Sequence, residues 1–245
     1  MKKMLSVIFA ATLGLAAASS AQAGLYTSTY GTLLAGPSDC DDCYAGPIAF
    51  SGAGQSINFF GSTYNELFVG SNGYVTFGDG SSSYSNQPLD IQQVAPMIAG
   101  FYTDLDSRGS AASNVYANAA TDGEIIVTWE NMGHFSVNYS NPSTFQLVIR
   151  SDQLLVPSGQ GQIGFFYGNV DPTVSASAGF GDGLATSNPG ELALDSTTLN
   201  NSAGRFFNID GGVPAAAPGD VPEPASLALL GIGLAGMAAR RRNKA

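Results

Sequence analysis

Positive charge is nearly absent from the body of this chain. The 245 residues hold nine Lys and Arg against nineteen Asp and Glu. Lys2, Lys3, Arg240, Arg241, Arg242 and Lys244 sit at the extreme ends, which leaves only Arg108, Arg150 and Arg205 between them. All the acids fall between Asp39 and Glu223, so the stretch 24–223 sets three cations against nineteen anions, a net charge of −16. Such a chain has no basic patch to replace the counterions of a phosphate backbone, which excludes nucleic acid as a partner. Its acidity suits divalent cations, solubility and hydrated matrices.

The usual catalytic vocabulary is equally thin. Histidine occurs once, at His134, in a stretch that reads as a loop after the strand holding Trp129. A serine hydrolase would have to use it as base, and no Gly-x-Ser-x-Gly elbow accompanies it. His134 therefore reads as a solvated or packing residue. A glycosidase needs two carboxyls about 5 to 10 Å apart across a sugar cleft, and the acids here carry no such signature. The reading is non-enzymatic. Cysteine occurs only at Cys40 and Cys43, in Ser38-Asp39-Cys40-Asp41-Asp42-Cys43. Three flanking carboxylates raise a thiol pKa, the opposite of what a redox catalyst needs. Neither a second C-x-x-C nor a second histidine is there to complete a zinc site. In an exported protein the pair reads as a local disulfide.

The two ends point to export. Lys2 and Lys3 form a charged start, Met4 to Ala18 an apolar run, and Ala21-Gln22-Ala23 a small-residue cleavage site, so a signal helix over 1–23 is removed between Ala23 and Gly24. The other end opens on Val221-Pro222-Glu223-Pro224, where the prolines hold the backbone extended. An uncharged run from Leu227 to Ala239 follows, then Arg240, Arg241 and Arg242. As a helix that run reaches about 20 Å, short of the roughly 30 Å hydrocarbon core. The basic end stays cytoplasmic and leaves everything before Val221 outside. A weak anchor behind a stiff, accessible segment reads as a signal to be processed; the alternative is a plain tail anchor.

These features, in this order, resemble the PEP-CTERM sorting signal of Gram-negative bacteria. The resemblance implies processing by the membrane protease exosortase, a transient stay at the inner membrane, and a destination in the cell envelope, at the cell surface or in the extracellular matrix. It also implies association with exopolysaccharide or other envelope proteins.

The body between the ends reads as β structure. A leading loop with the C-x-x-C spans 24–56, with one edge strand near Ile48 to Phe50, and the domain runs over 57–210. Glu66 to Gly70 and Tyr74 to Gly78 form a hairpin about Asn72-Gly73, a pair suited to φ > 0. Val94 to Tyr102 is an apolar, buried strand, and Glu124 to Glu130 a β-branched central one. Thr144 to Arg150 alternates, with Phe145, Leu147 and Ile149 on one face. Further strands are expected at Val115 to Ala117, Gln162 to Tyr167, Ala176 to Phe180 and Phe206 to Ile209, before a Gly/Pro/Ala linker over 211–220. Short strands, frequent turns and no amphipathic helix predict an all-β, antiparallel β-sandwich, flanked by the signal helix and a short C-terminal transmembrane helix over 221–245. Tyr102, Trp129, Phe165, Phe166 and Tyr167 are core candidates, with a sugar platform as the alternative.

From about Tyr64 to Gly183 the chain resembles the NIDO domain, the extracellular module first recognised in nidogen. The blocks that carry the likeness are Asn72 to Gly78, Ile98 to Asp106, Val127-Thr128-Trp129, Thr144 to Val148 and Ala178-Gly179-Phe180. Gly100, Tyr102 and Thr103 stand where the family usually has Pro, Trp and Ala. The resemblance implies an extracellular adhesion or matrix module.

Asp104 and Asp106 are the sharpest polar feature. On a strand, residues i and i+2 share a side, so both carboxylates could face one calcium ion. The alternative is a structural pair that accepts backbone N–H groups in a turn, with Arg108 as ion partner. An EF-hand is excluded, because Arg108 and Val115 stand where ligands would be required. The function expected is non-enzymatic, in adhesion or in an exopolysaccharide or biofilm matrix; the alternative is a carbohydrate-binding or carbohydrate-active extracellular domain.

Overall fold

Pleated backbone forms wherever β-branched and aromatic residues cluster in this sequence. The computed structural model describes residues 24–85, 88–184, 191–192 and 204–216. The signal helix over 1–23 and the sorting signal with its transmembrane helix over 221–245 lie outside the described residues. Among the described residues every element is a strand, and no helix is long and apolar enough to cross a membrane. In chain order the strands are β1 (Thr32–Leu33), β2 (Tyr44–Ala49), β3 (Ile57–Phe59), β4 (Ser62–Tyr64), β5 (Glu66–Gly70), β6 (Tyr74–Thr76), β7 (Met97–Tyr102) and β8 (Leu105–Asp106). They continue as β9 (Asn114–Asn118), β10 (Glu124–His134), β11 (Asn138–Arg150), β12 (Ile163–Tyr167), β13 (Ser177–Gly181), β14 (Glu191–Leu192), β15 (Arg205–Asp210) and β16 (Val213–Ala216).

The strands form two main antiparallel sheets. One runs β1-β9-β10-β11-β12-β15-β16, with β8 also paired to β10, and the other runs β14-β13-β7-β6-β5-β2. β3 and β4 make a separate hairpin. The central hairpin, β10 with β11, is longer than the stretches 124–130 and 144–150 suggest. Its extension needs an irregularity at Asn131, which takes φ +49° and breaks the register between Trp129 and Met132. The Asn131 amide, removed from the ladder, donates to Thr144 Oγ1 at 2.9 Å. The stretch expected to be linker supplies β16, which pairs Val213 to Ala216 with Asp210 to Phe207. The leading stretch supplies β1 as well as β2.

One core joins the two sheets. Trp129, fully buried, stacks on Phe145 at 4.9 Å and donates its indole N–H to the Gly70 carbonyl of the other sheet at 2.9 Å. Tyr167 makes a second bridge, from its hydroxyl to Gly100 O at 2.8 Å. Phe165 meets Phe180 edge to face at 5.4 Å. All five aromatic candidates are buried and serve the core, not a sugar platform. Gly73 shows why the β5–β6 turn needs its glycine. Its φ is +84°, its carbonyl accepts the amides of both Gly100 and Phe101, and a Cβ there would meet Phe101 O at 2.1 Å.

The outer face of β11 is also covered. Ile126, Val148 and Phe166 pack there against Tyr26 and Phe206. Gln146 clasps the N-terminal strap: its amide oxygen accepts Thr27 N–H at 3.1 Å and its amide nitrogen donates to Thr27 O at 2.9 Å. Arg150 sits fully buried beside them. It donates to Glu124 at 2.7 Å, Gly161 O at 2.7 Å, Tyr26 Oη at 2.9 Å and Gln160 Oε1 at 2.6 Å. Its guanidinium also lies over the Tyr26 and Phe206 rings.

Candidate functional site

Three loops meet at one end of the sheets: the C-x-x-C loop, the β5–β6 turn and the break between β7 and β8. Cys40 and Cys43 are joined by a disulfide, which pinches the first loop into a tight bend. Backbone bonds seat that bend on both neighbours. Cys40 N–H donates to Ser107 Oγ at 2.8 Å and Ser107 N–H to Cys40 O at 3.1 Å. On the other side Cys43 N–H donates to Ser71 Oγ at 3.1 Å, Ser71 N–H to Cys43 O at 2.8 Å, and Ser71 Oγ–H to Asp41 O.

Asn72 ties the three loops together. It is fully buried, accepts Leu105 N–H at 2.7 Å, and donates to Asp42 Oδ1 at 2.9 Å and to Ser83 O at 3.2 Å. Expected only as a turn residue, it is the polar hub of this end. The reason is that Gly73 alone takes the positive φ, which frees the Asn72 side chain to point inward.

Asp104 and Asp106 have different neighbours. Asp104 lies in the break between β7 and β8, where alternation no longer decides which way a side chain faces. Asp106 is fully buried and held by arginine: Arg108 Nε donates to its Oδ1 at 2.9 Å and Arg108 Nη2 to its Oδ2 at 2.7 Å. The amides of Arg108 and Val137 add bonds at 3.0 and 3.1 Å. These donors, the Arg108 side chain first, hold the Asp106 carboxyl below its ordinary range. The structural alternative thus describes Asp106.

Asp104 joins Asp41 and Asp42 instead, with carboxylate oxygens of all three within 4.8 Å of one another. Burial, then the charges of Asp42, Asp41 and Asp106, push Asp104 up to about 6, and Arg108 only partly offsets them. Burial and Asp106 raise Asp41 as well, although Arg108 Nη2 reaches its Oδ2 at 2.7 Å. The other Asp41 oxygen is buried and accepts no hydrogen bond. Three hard oxygen donors of like charge fit calcium better than zinc. Sequence reasoning passed over Asp41 and Asp42 because they lie more than sixty positions from Asp104; the density of acids in the C-x-x-C loop was the available signal.

His134 is not in a solvated loop. It ends β10, nearly buried, with Nε2 at 3.3 Å from Ser143 Oγ and 3.9 Å from Asp171. Ser, His and Asp are thus adjacent, yet serine and acid approach the same ring nitrogen. A hydrolase relay needs the acid on the opposite one. Ser143 Oγ is also occupied as the acceptor of Asp171 N–H at 3.0 Å. Burial lowers the imidazole pKa against the pull of Asp171, and the ring packs among polar neighbours at the end of β10.

Comparison with known proteins follows the same division of the chain. Residues 18–215 match the family described as NIDO related, and residues 220–242 match the PEP-CTERM protein-sorting motif. Nidogen of Drosophila melanogaster is 27% identical over 162 residues, covering 51% of this chain. Dendrite extension defective protein 1 of Caenorhabditis elegans is 28% identical over 155 residues, covering 53%. The chain spans only 12% and 13% of the length of those two proteins. No solved structure matches it.

Proposed function

Because the chain belongs to the NIDO-related family and also carries a PEP-CTERM sorting motif, we propose that it is a non-enzymatic β-sandwich module of the cell envelope or extracellular matrix, acting in adhesion or in an exopolysaccharide matrix. The observation that carries this reading is the pairing of both features on one chain, an extracellular module followed directly by a motif that implies processing by exosortase. The acidic body and the absence of a catalytic relay at His134 agree with it. In this reading Ala23 and Gly24 flank the first cut, and Val221, Pro222, Glu223 and Pro224 present the second. Arg240, Arg241 and Arg242 hold the tail in the inner membrane until then.

The test is the fate of the tail. Pro222→Ala with Pro224→Ala leaves export intact and stops processing, so uncut precursor collects with the inner membrane. Mass spectrometry of the C-terminus reads the outcome directly. Ala245 still attached in protein recovered from the cell surface would replace sorting by a plain tail anchor.

A second reading concerns calcium. The carboxylates of Asp41, Asp42 and Asp104 lie close enough to share an ion, and the raised pKa of Asp104 reflects its burial first and their repulsion second. Calorimetry with calcium on wild type and on Asp104→Asn decides it. Equal heats leave the cluster a strained acidic surface.

A further inference from the structure

Away from the acidic end, an open cleft of about 410 Å³ lies between the β3–β4 hairpin, the loop after β11 and the β15–β16 hairpin. Its volume is in the range of small-molecule sites. Its polar groups come from separate parts of the chain and are held in place before any ligand arrives. Asp152 Oδ2 accepts Asn58 N–H at 2.8 Å, and its Oδ1 accepts Gln162 Nε2–H at 2.8 Å. Gln162 is fixed in turn, its amide oxygen accepting Ile209 N–H at 2.8 Å. Each Asp152 oxygen keeps a further lone pair. Asn208, on β15, adds an amide that can both donate and accept, and Leu154 and Ile209 supply apolar wall. Gly211 closes β15 onto β16 at φ +58° and brings no side chain to the rim.

Charge narrows the ligand. Among the described residues no Lys or Arg lines the cleft, and the surrounding body is strongly acidic, so phosphate and uronate groups are disfavoured. Nor does any aromatic ring among the described residues line it, so they offer a flat aromatic ligand nothing to stack on. Clustered fixed acceptors, one amide of both characters and a small apolar wall match a ligand with hydroxyl groups on its edge and C–H groups on its face. We propose that this cleft binds a neutral hexose unit of a polysaccharide. The proposal rests on the matrix reading above and gives it a contact point.

Calorimetry on the exported protein recovered from cells tests it, with maltohexaose, cellohexaose, mannohexaose and galactohexaose as probes and hexagalacturonate as the anionic counterpart. At least one neutral hexaose binds, hexagalacturonate binds at least tenfold more weakly, and Asn208→Ala and Val156→Trp each weaken the neutral ligand tenfold or more. Val156→Trp fills the cleft without removing a polar group, so it carries the test if circular dichroism shows Asn208→Ala unfolded. No heat from any neutral hexaose, unchanged affinity in Val156→Trp, or preference for hexagalacturonate overturns the site. Those results with normal surface delivery overturn the cleft alone; failure of delivery in wild type overturns the matrix reading instead.

Discussion

Arg150 and Arg108 are two solutions to one shortage. Arg150 is fully buried and answered on every side, by Glu124, by the Gly161 carbonyl, by Gln160 and by a tyrosine from the N-terminal strap. Arg108 has a side chain 46% exposed and faces the buried Asp106 together with Asp41. The first arrangement closes its charge account inside the protein. The second leaves Asp104 and Asp42 without a cation of their own among the described residues. The difference shows where this fold tolerates change: electrostatics at the strap are part of the core, and electrostatics at the loop end are adjustable by protons or ions.

Arg150→Ala should break the comparison most severely. It strands Glu124 and the Gly161 carbonyl and loosens Tyr26, and a loss of about 3–5 kcal/mol is expected from urea denaturation. Thr27 should also become more protease-accessible, because the strap then keeps Gln146, Asn118 and the packing of Tyr26 but loses the guanidinium that anchors the Tyr26 hydroxyl. Cys40→Ser with Cys43→Ser acts at the other end and is milder. Closing so short a loop contributes about 2 kcal/mol in the chain-entropy view, and thiol labelling of denatured, unreduced wild type should find no free thiol.

Arg108→Ala sharpens the contrast through pH more than through total stability. With the folded Asp106 pKa held below its unfolded 3.8, its contribution is present above that value and lost as pH falls through the folded pKa. Without Arg108 the folded pKa rises, so the acid limb of the melting curve moves to higher pH. Asp104 has the opposite sign. Its folded pKa of about 6 lies above 3.8, so its contribution is full below pH 3.8 and disappears as pH rises through 6. Asp104 therefore favours pH 5 over pH 7, whereas the buried His134, its pKa lowered, favours pH 7. Asp104→Asn should remove the first preference and stabilise the protein at pH 7 by about 1 kcal/mol after solvent screening. Thermal melts across pH 3 to 8 check both.

Local chemistry made much of the fold readable. The alternation of Phe145, Leu147 and Ile149 and the β-branched run before Trp129 mark strands because pleating puts alternate residues on one face. What could not be read depends on long-range closure. β16 is made of Val213-Pro214-Ala215-Ala216, a composition that reads as linker, and it becomes a strand because β15 offers it an edge. Likewise, the partner of Asp104 was sought at the next same-side position. The disulfide loop, seated by Ser71 and Ser107, brings Asp41 and Asp42 there instead. Asn72 was visible as a turn and invisible as a hub, since nothing in Asn-Gly specifies what a buried amide will bind.

The enclosure of Arg150 also matters between molecules. With that guanidinium sealed inside and Arg108 turned toward Asp106 and Asp41, Arg205 is the exposed cation least committed to acids among the described residues. Two copies approaching in dilute salt therefore meet mostly like charge, and this repulsion extends about 10 Å at 0.1 M ionic strength. Crowding such a protein on a surface requires counterions, so its packing density there should be set by the ionic strength and divalent content of the medium as much as by any contact the protein makes.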